Sequence, residues 1–167
     1  MGKRFNNLLG LAVGMSVAGA APAQAAMGCW EGAAATSVRL KDFQSRLMVA
    51  TLRCNAMGFD SSSHYNKFMT ANKATLATAN VAVKARFQSA YGPKRWQKEY
   101  DRFNTSLANA YGAGATSKDI CRDLADTARD AASAKGDKVK LMAIVDRAGP
   151  APKLPGGMCR GAVLAMR

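Results

Sequence analysis

Residues 33–58 read AAATSVRLKDFQSRLMVATLRCNAMG, and the spacing of their apolar side chains decides the fold. Leu40, Phe43, Leu47, Ala50, Cys54 and Met57 recur at steps of three and four. A backbone with about 3.6 residues per turn gathers such positions on one face, whereas a strand needs alternation at every second residue. The stretch therefore predicts a first helix, and Gly58 supplies its stop.

Toward the C-terminus the same period recurs. The cluster Asp60-Ser61-Ser62-Ser63 suits a helix start, and Tyr65, Met69, Leu76, Ala79, Val83, Phe87 and Ala90 trace a second stripe that ends at Tyr91-Gly92. Polar Asn72 interrupts it. Pro93 fits the first turn of a third helix, where a missing N–H costs nothing, and Trp96, Tyr100, Phe103, Leu107 and Ala110 carry the pattern to Gly112-Ala113-Gly114. Thr116, with Asp119 three residues on, resembles a capping box, and opens a fourth helix holding Ile120, Leu124, Ala128 and Ala131. After Gly136-Asp137 a short fifth helix carries Leu141, Met142 and Val145, before prolines and glycines from 149 onward impose an irregular tail. Short turns make consecutive helices antiparallel neighbours. The expected fold is all-α, an up-and-down antiparallel four-helix bundle with a short C-terminal helix and an irregular tail, stapled by two disulfides.

Toward the N-terminus, Lys3 and Arg4 precede an apolar stretch from Leu8 to Ala21, and Ala23 and Ala25 are the small residues a signal peptidase inspects. Residues 1–25 read as a cleaved secretory signal peptide, 26–148 as the helical bundle domain and 149–167 as a Pro/Gly-rich tail tied back by Cys159. The box Ala26-Met27-Gly28-Cys29 loosely resembles that preceding a lipid-modified cysteine. Acylation there is disfavoured because it would leave three cysteines in an oxidising compartment. Export places the protein in the periplasm or outside the cell, with no transmembrane segment in the mature chain.

Cys29, Cys54, Cys121 and Cys159 form an even set without a Cys-x-x-Cys spacing, which points to disulfides rather than redox or haem chemistry. A helix of about 20 residues spans roughly 30 Å, and a disulfide needs Cα atoms within about 7 Å, so a continuous first helix excludes a Cys29–Cys54 bond. The second helix descends and the third climbs back to the level of Cys54, just before Cys121. Cys54–Cys121 and, by elimination, Cys29–Cys159 are the expected pairs.

Catalytic chemistry is poorly provided for. His64 is the single histidine and lies beside a polar cluster, and no grouping of ligands suggests a metal or another cofactor. Asp119, Asp123, Asp126 and Asp130 share one helix face, but Lys118, Arg122 and Arg129 are interleaved, so the face compensates itself. Tyr65-Asn66-Lys67-Phe68 and Tyr100-Asp101-Arg102-Phe103 share a pattern whose Tyr and Phe fall on one helix face, which reads as core packing.

The positive signal is charge. The chain carries 24 Lys+Arg against 11 Asp+Glu, a formal +13, and removal of Lys3 and Arg4 with the leader leaves about +11. Lys84, Arg86, Lys94, Arg95, Lys98 and Arg102 fall around the turn between the second and third helices and are the candidate anion-binding residues, opposed locally by Glu99 and Asp101. Outside the inner membrane the available polyanions are anionic lipid, lipopolysaccharide and acidic wall polymers, and another envelope protein is a further candidate partner; nucleic acid is not expected. The chain thus reads as a non-enzymatic binding or structural module of the bacterial envelope. The alternative is a periplasmic enzyme with an Asp/Tyr site at one end of the bundle.

Overall fold

The computed structural model describes residues 27–149 and 154–159; the leader and most of the tail, 149–167, lie outside these. Among the described residues there are five helices: α1 (Gly32–Ala56), α2 (Ser62–Ala71), α3 (Lys73–Gly112), α4 (Lys118–Ser133) and α5 (Lys138–Arg147). No strand occurs among the described residues, only an isolated parallel bridge between Trp30 and Met158. The helices pack side by side, α1 chiefly against α3 and α2 chiefly against α4.

α3 is two helical legs rather than one rod. Gly92 takes φ +69° and ψ 174°, a conformation that an L side chain rarely adopts, and the chain reverses there. The ring centroids of Phe87 and Phe103 are 5.3 Å apart, and the Tyr100 hydroxyl donates to Asn80 Oδ1 at 2.5 Å. In a straight helix these pairs would be separated by about 24 Å and 30 Å. The expected boundary between the second and third helices therefore falls at Gly92-Pro93.

The expected second helix is itself divided. Asn72 (φ −114°, ψ 16°) ends α2 and precedes α3. Its side chain is fully buried, donating to the carbonyls of Phe68 (3.0 Å) and Ala131 (2.9 Å) and accepting from the Gly136 N–H (2.9 Å). An amide in an apolar stripe is tolerated because every strong group finds a partner, and it ties α2 to the end of α4.

The start of α4 also differs by one residue. Ser117, not Thr116, is the cap: its backbone is extended and its hydroxyl accepts from the Ile120 N–H at 3.2 Å. With the first helical turn beginning at Lys118, only the residue immediately before it can reach that amide. On the same helix the pairs are Asp119–Arg122 (3.1 Å) and Asp126–Arg129 (2.9 Å), both exposed.

Two hydrophobic clusters fill the interior. The first joins Leu40, Phe43 and Leu47 of α1 to Phe68, Leu76, Ala128, Ala131, Leu141 and Val145. The second surrounds Trp30 with Val38, Val83, Phe87, Tyr100, Phe103 and Leu107. The Tyr-x-x-Phe pairs serve one cluster each, Tyr65/Phe68 the first and Tyr100/Phe103 the second.

The disulfides join Cys54 to Cys121 and Cys29 to Cys159, with Cα separations of 5.7 Å and 5.0 Å. The second holds the segment 154–159 against the N-terminal arm, where Trp30 N–H donates to Gly157 O (2.8 Å), Cys159 N–H to Trp30 O (2.9 Å) and the Trp30 indole to Pro155 O (2.8 Å). At Gly156 a Cβ would lie 2.3 Å from the Met27 carbonyl, so this approach requires glycine.

Candidate functional site

Local helix geometry distributes the six basic residues around the α3 reversal unequally. Arg86 faces the N-terminal arm and donates to the carbonyls of Gly28 (3.1 Å) and Cys29 (3.2 Å). Arg102 pairs with Glu99 at 2.9 Å on its own helical leg. Arg95 lies over the Tyr91 ring, 5.9 Å from its centroid, and Lys84 over the Tyr100 ring at 5.8 Å, both cation–π distances. Lys94 and Lys98 are exposed beside Arg95 at the hairpin tip, with Trp96 half-buried between them. The six therefore divide: Arg86 secures the arm, Arg102 is neutralised, Lys84 lies over Tyr100, and the tip presents Lys94, Arg95 and Lys98.

The basic surface continues down the hairpin in a way the local cluster did not reveal. From Ser61 to Lys98 the chain has seven lysines and arginines and no aspartate or glutamate. Lys84 on α3 faces Lys41 on α1; burial, and secondarily the Lys84 charge, lower the Lys41 pKa. A groove of about 250 Å³ runs beside them, with Lys41, Gln44, Lys73 and Asn80 among its walls. None of Lys41, Lys73 and Lys84 joins an ion pair among the described residues. The sequence signal for this face was the gap between Asp60 and Glu99, a feature of length rather than of clustering.

A second polar arrangement lies along α1, where Arg39, Asp42, Arg46 and Arg53 fall beside the apolar stripe at steps of three, four and seven. Arg39 pairs with Asp146 of α5, Arg46 donates to the Ala148 carbonyl, and Arg53 to the carbonyls of Tyr111 (2.8 Å) and Gly114. Arg46 and Arg53 answer carbonyls at the ends of α5 and α3. Asp42 is buried, and the Tyr111 hydroxyl lies 2.8 Å from each of its carboxylate oxygens. Burial raises Asp42 to about 6, against the lowering effects of the Tyr111 hydrogen bond, Arg46 and Arg39. The Tyr111 phenol is pushed well above its ordinary range, first by burial and then by the Asp42 charge. It keeps its proton at neutral pH, and that proton is shared with Asp42. The contact fastens α1 to the end of α3.

His64 is half-buried in the first turn of α2, and no group of three His, Cys, Asp or Glu side chains among the described residues is placed to hold a metal ion. No described helix is long and apolar enough to cross a membrane. Comparison with known protein families, curated protein sequences and solved structures gave no match.

Proposed function

We propose that the protein is an exported, disulfide-stapled helical module of the bacterial envelope that binds anionic surfaces non-enzymatically, through the face built by α2 and the α3 hairpin. The observation that carries this reading is the run from Ser61 to Lys98, with seven basic side chains and no carboxylate. Signal-peptide cleavage after Ala25 and a periplasmic or secreted location complete it, supported by the leader pattern and by Cys29 being engaged in a disulfide rather than left for acylation. The scaffold is read as an up-and-down antiparallel four-helix bundle with α5 appended, supported by the chain reversal at Gly92 and by the Cys54–Cys121 bond between the end of α1 and the start of α4.

Magnitudes set the expected affinity. A basic side chain near an anionic leaflet contributes about 1 kcal/mol, so the three tip residues supply about 3 kcal/mol. That alone gives weak association, within reach of a Debye length of about 8 Å at physiological ionic strength and therefore lost as salt rises. The enzyme alternative ranks second, because the one buried Asp–Tyr contact, Asp42 with Tyr111, leaves the phenol protonated and both carboxylate oxygens engaged.

Cosedimentation with vesicles tests the reading. The protein should bind phosphatidylglycerol vesicles at low ionic strength, release from them in high salt and ignore phosphatidylcholine. The triple variant Lys94→Gln, Arg95→Gln, Lys98→Gln should lose the binding while its helical circular dichroism stays unchanged. Equal binding by the triple variant, or no binding by the wild type at low salt, overturns it.

A further inference from the structure

Away from the basic face, a groove of about 290 Å³ lies between α1, the α3–α4 loop and α4, beside the Cys54–Cys121 disulfide. Ala50, Ile120 and Leu124 supply apolar wall. Its polar groups are divided by charge. Arg46 and Arg53 enter from α1 and Asp123 from α4.

Each of these groups retains capacity for a ligand. Arg53 donates to two main-chain carbonyls and Arg46 to one, and a guanidinium has five N–H donors. Arg53 meets no carboxylate among the described residues, while Arg46 shares the charge of Asp42. On α4, Asp119 and Asp126 are taken by Arg122 and Arg129, which leaves Asp123 without an ion pair among the described residues. Two guanidinium groups on the α1 wall are a donor set for a carboxylate, and the Asp123 carboxylate on the α4 wall is an acceptor for an ammonium group.

We infer that this groove binds a small zwitterion of amino-acid size with an apolar side chain, its carboxylate held by Arg53 and Arg46 and its ammonium group by Asp123. The charge order across the groove selects the ligand class, since a simple anion leaves Asp123 unanswered and a simple cation faces two arginines. The volume is suited to one residue rather than to a polymer. This site is separate from the anionic-surface reading and stands or falls independently of it.

Calorimetric titration of the full disulfide-bonded protein with three probes tests the inference: L-leucine, 4-methylpentanoate, which lacks the ammonium group, and 3-methylbutylamine, which lacks the carboxylate. Leucine should bind about tenfold or more tightly than either fragment. Asp123→Asn, an exposed substitution without a structural partner, should bring leucine to the level of 4-methylpentanoate and leave the latter unchanged. Ala50→Leu, which fills the groove, should remove binding of both. No heat from any probe up to tens of millimolar, leucine no tighter than its fragments, or unaltered leucine binding by Asp123→Asn each overturns the proposal. Vesicle binding by the same variants should be unchanged, which separates this site from the basic face.

Discussion

Around Trp30 the interior is aromatic, and around Leu141 it is aliphatic and rich in alanine. In the first region Phe87 touches four rings, those of Trp30, Tyr91, Tyr100 and Phe103, at centroid distances of 5.3–6.2 Å. In the second, Ala128, Ala131 and Ala134 line α4 and its end, and Phe43 against Phe68 is the principal ring contact. Large rings bury much area per residue, so the aromatic region can order two chain ends that have little regular structure of their own. Alanine lets helices approach closely but buries little, and that region relies on polar ties instead: Asn72, Asp42–Tyr111 and the arginines on helix ends. The aromatic region thus adds ring area to the hydrogen bonds that Trp30 and Arg86 make with the chain ends, whereas the alanine-rich region relies more on its polar ties.

The largest expected effect is at Phe87. Phe87→Ala should cost about 4 kcal/mol in urea denaturation, more than Leu141→Ala at about 3 kcal/mol, because four rings lose a common neighbour. Equal losses would break the contrast between the regions. In the aliphatic region Asn72→Leu should cost about 3 kcal/mol despite conserving much of the volume, since the Gly136 N–H loses its acceptor and the carbonyls of Phe68 and Ala131 each lose one of two donors. A neutral outcome would mean that packing, not the polar tie, holds α2 to α4.

The smallest effect is a pH dependence. Asp42 has a folded pKa of about 6, above its unfolded value near 4, so the folded state binds the extra proton between those values. Stability should therefore decline as pH rises from about 4 to 6 and be flat above as far as Asp42 is concerned, with an amplitude of at most about 2.7 kcal/mol. Asp42→Asn should abolish that slope, and Tyr111→Phe should shift it to higher pH by removing the donor to the carboxylate. Urea melts at half-unit pH steps would measure both.

The stripe from Leu40 to Met57 was sufficient to find α1 and, through its length, to exclude a Cys29–Cys54 bond, because both depend on distances a helix fixes locally; the pairs themselves also needed the expected order of the helices and elimination. The break at Asn72 was visible as a polar residue in an apolar stripe but not as a helix end, since its partners at Ala131 and Gly136 are about sixty residues away. Of the six basic residues at the turn, spacing could not tell that Arg86 is engaged by the N-terminal arm or that Lys41 joins the face from another helix. Arg39, Asp42, Arg46 and Arg53 carried a legible signal, a polar stripe adjoining the apolar one, yet such stripes usually face solvent.

The sequence by itself determined where helices form, most of their ends, which face of each is apolar, and the excess of positive charge. Those properties depend on neighbours within a few turns, whose geometry the helical repeat dictates. The tertiary structure decided which polar groups are buried, which arginines are already occupied by carbonyls, and that Asp123 and Arg53 face one groove. Burial and pairing are properties of surfaces brought together from distant parts of the chain, and the same aspartate is solvated or held near pH 6 according to what packs against it.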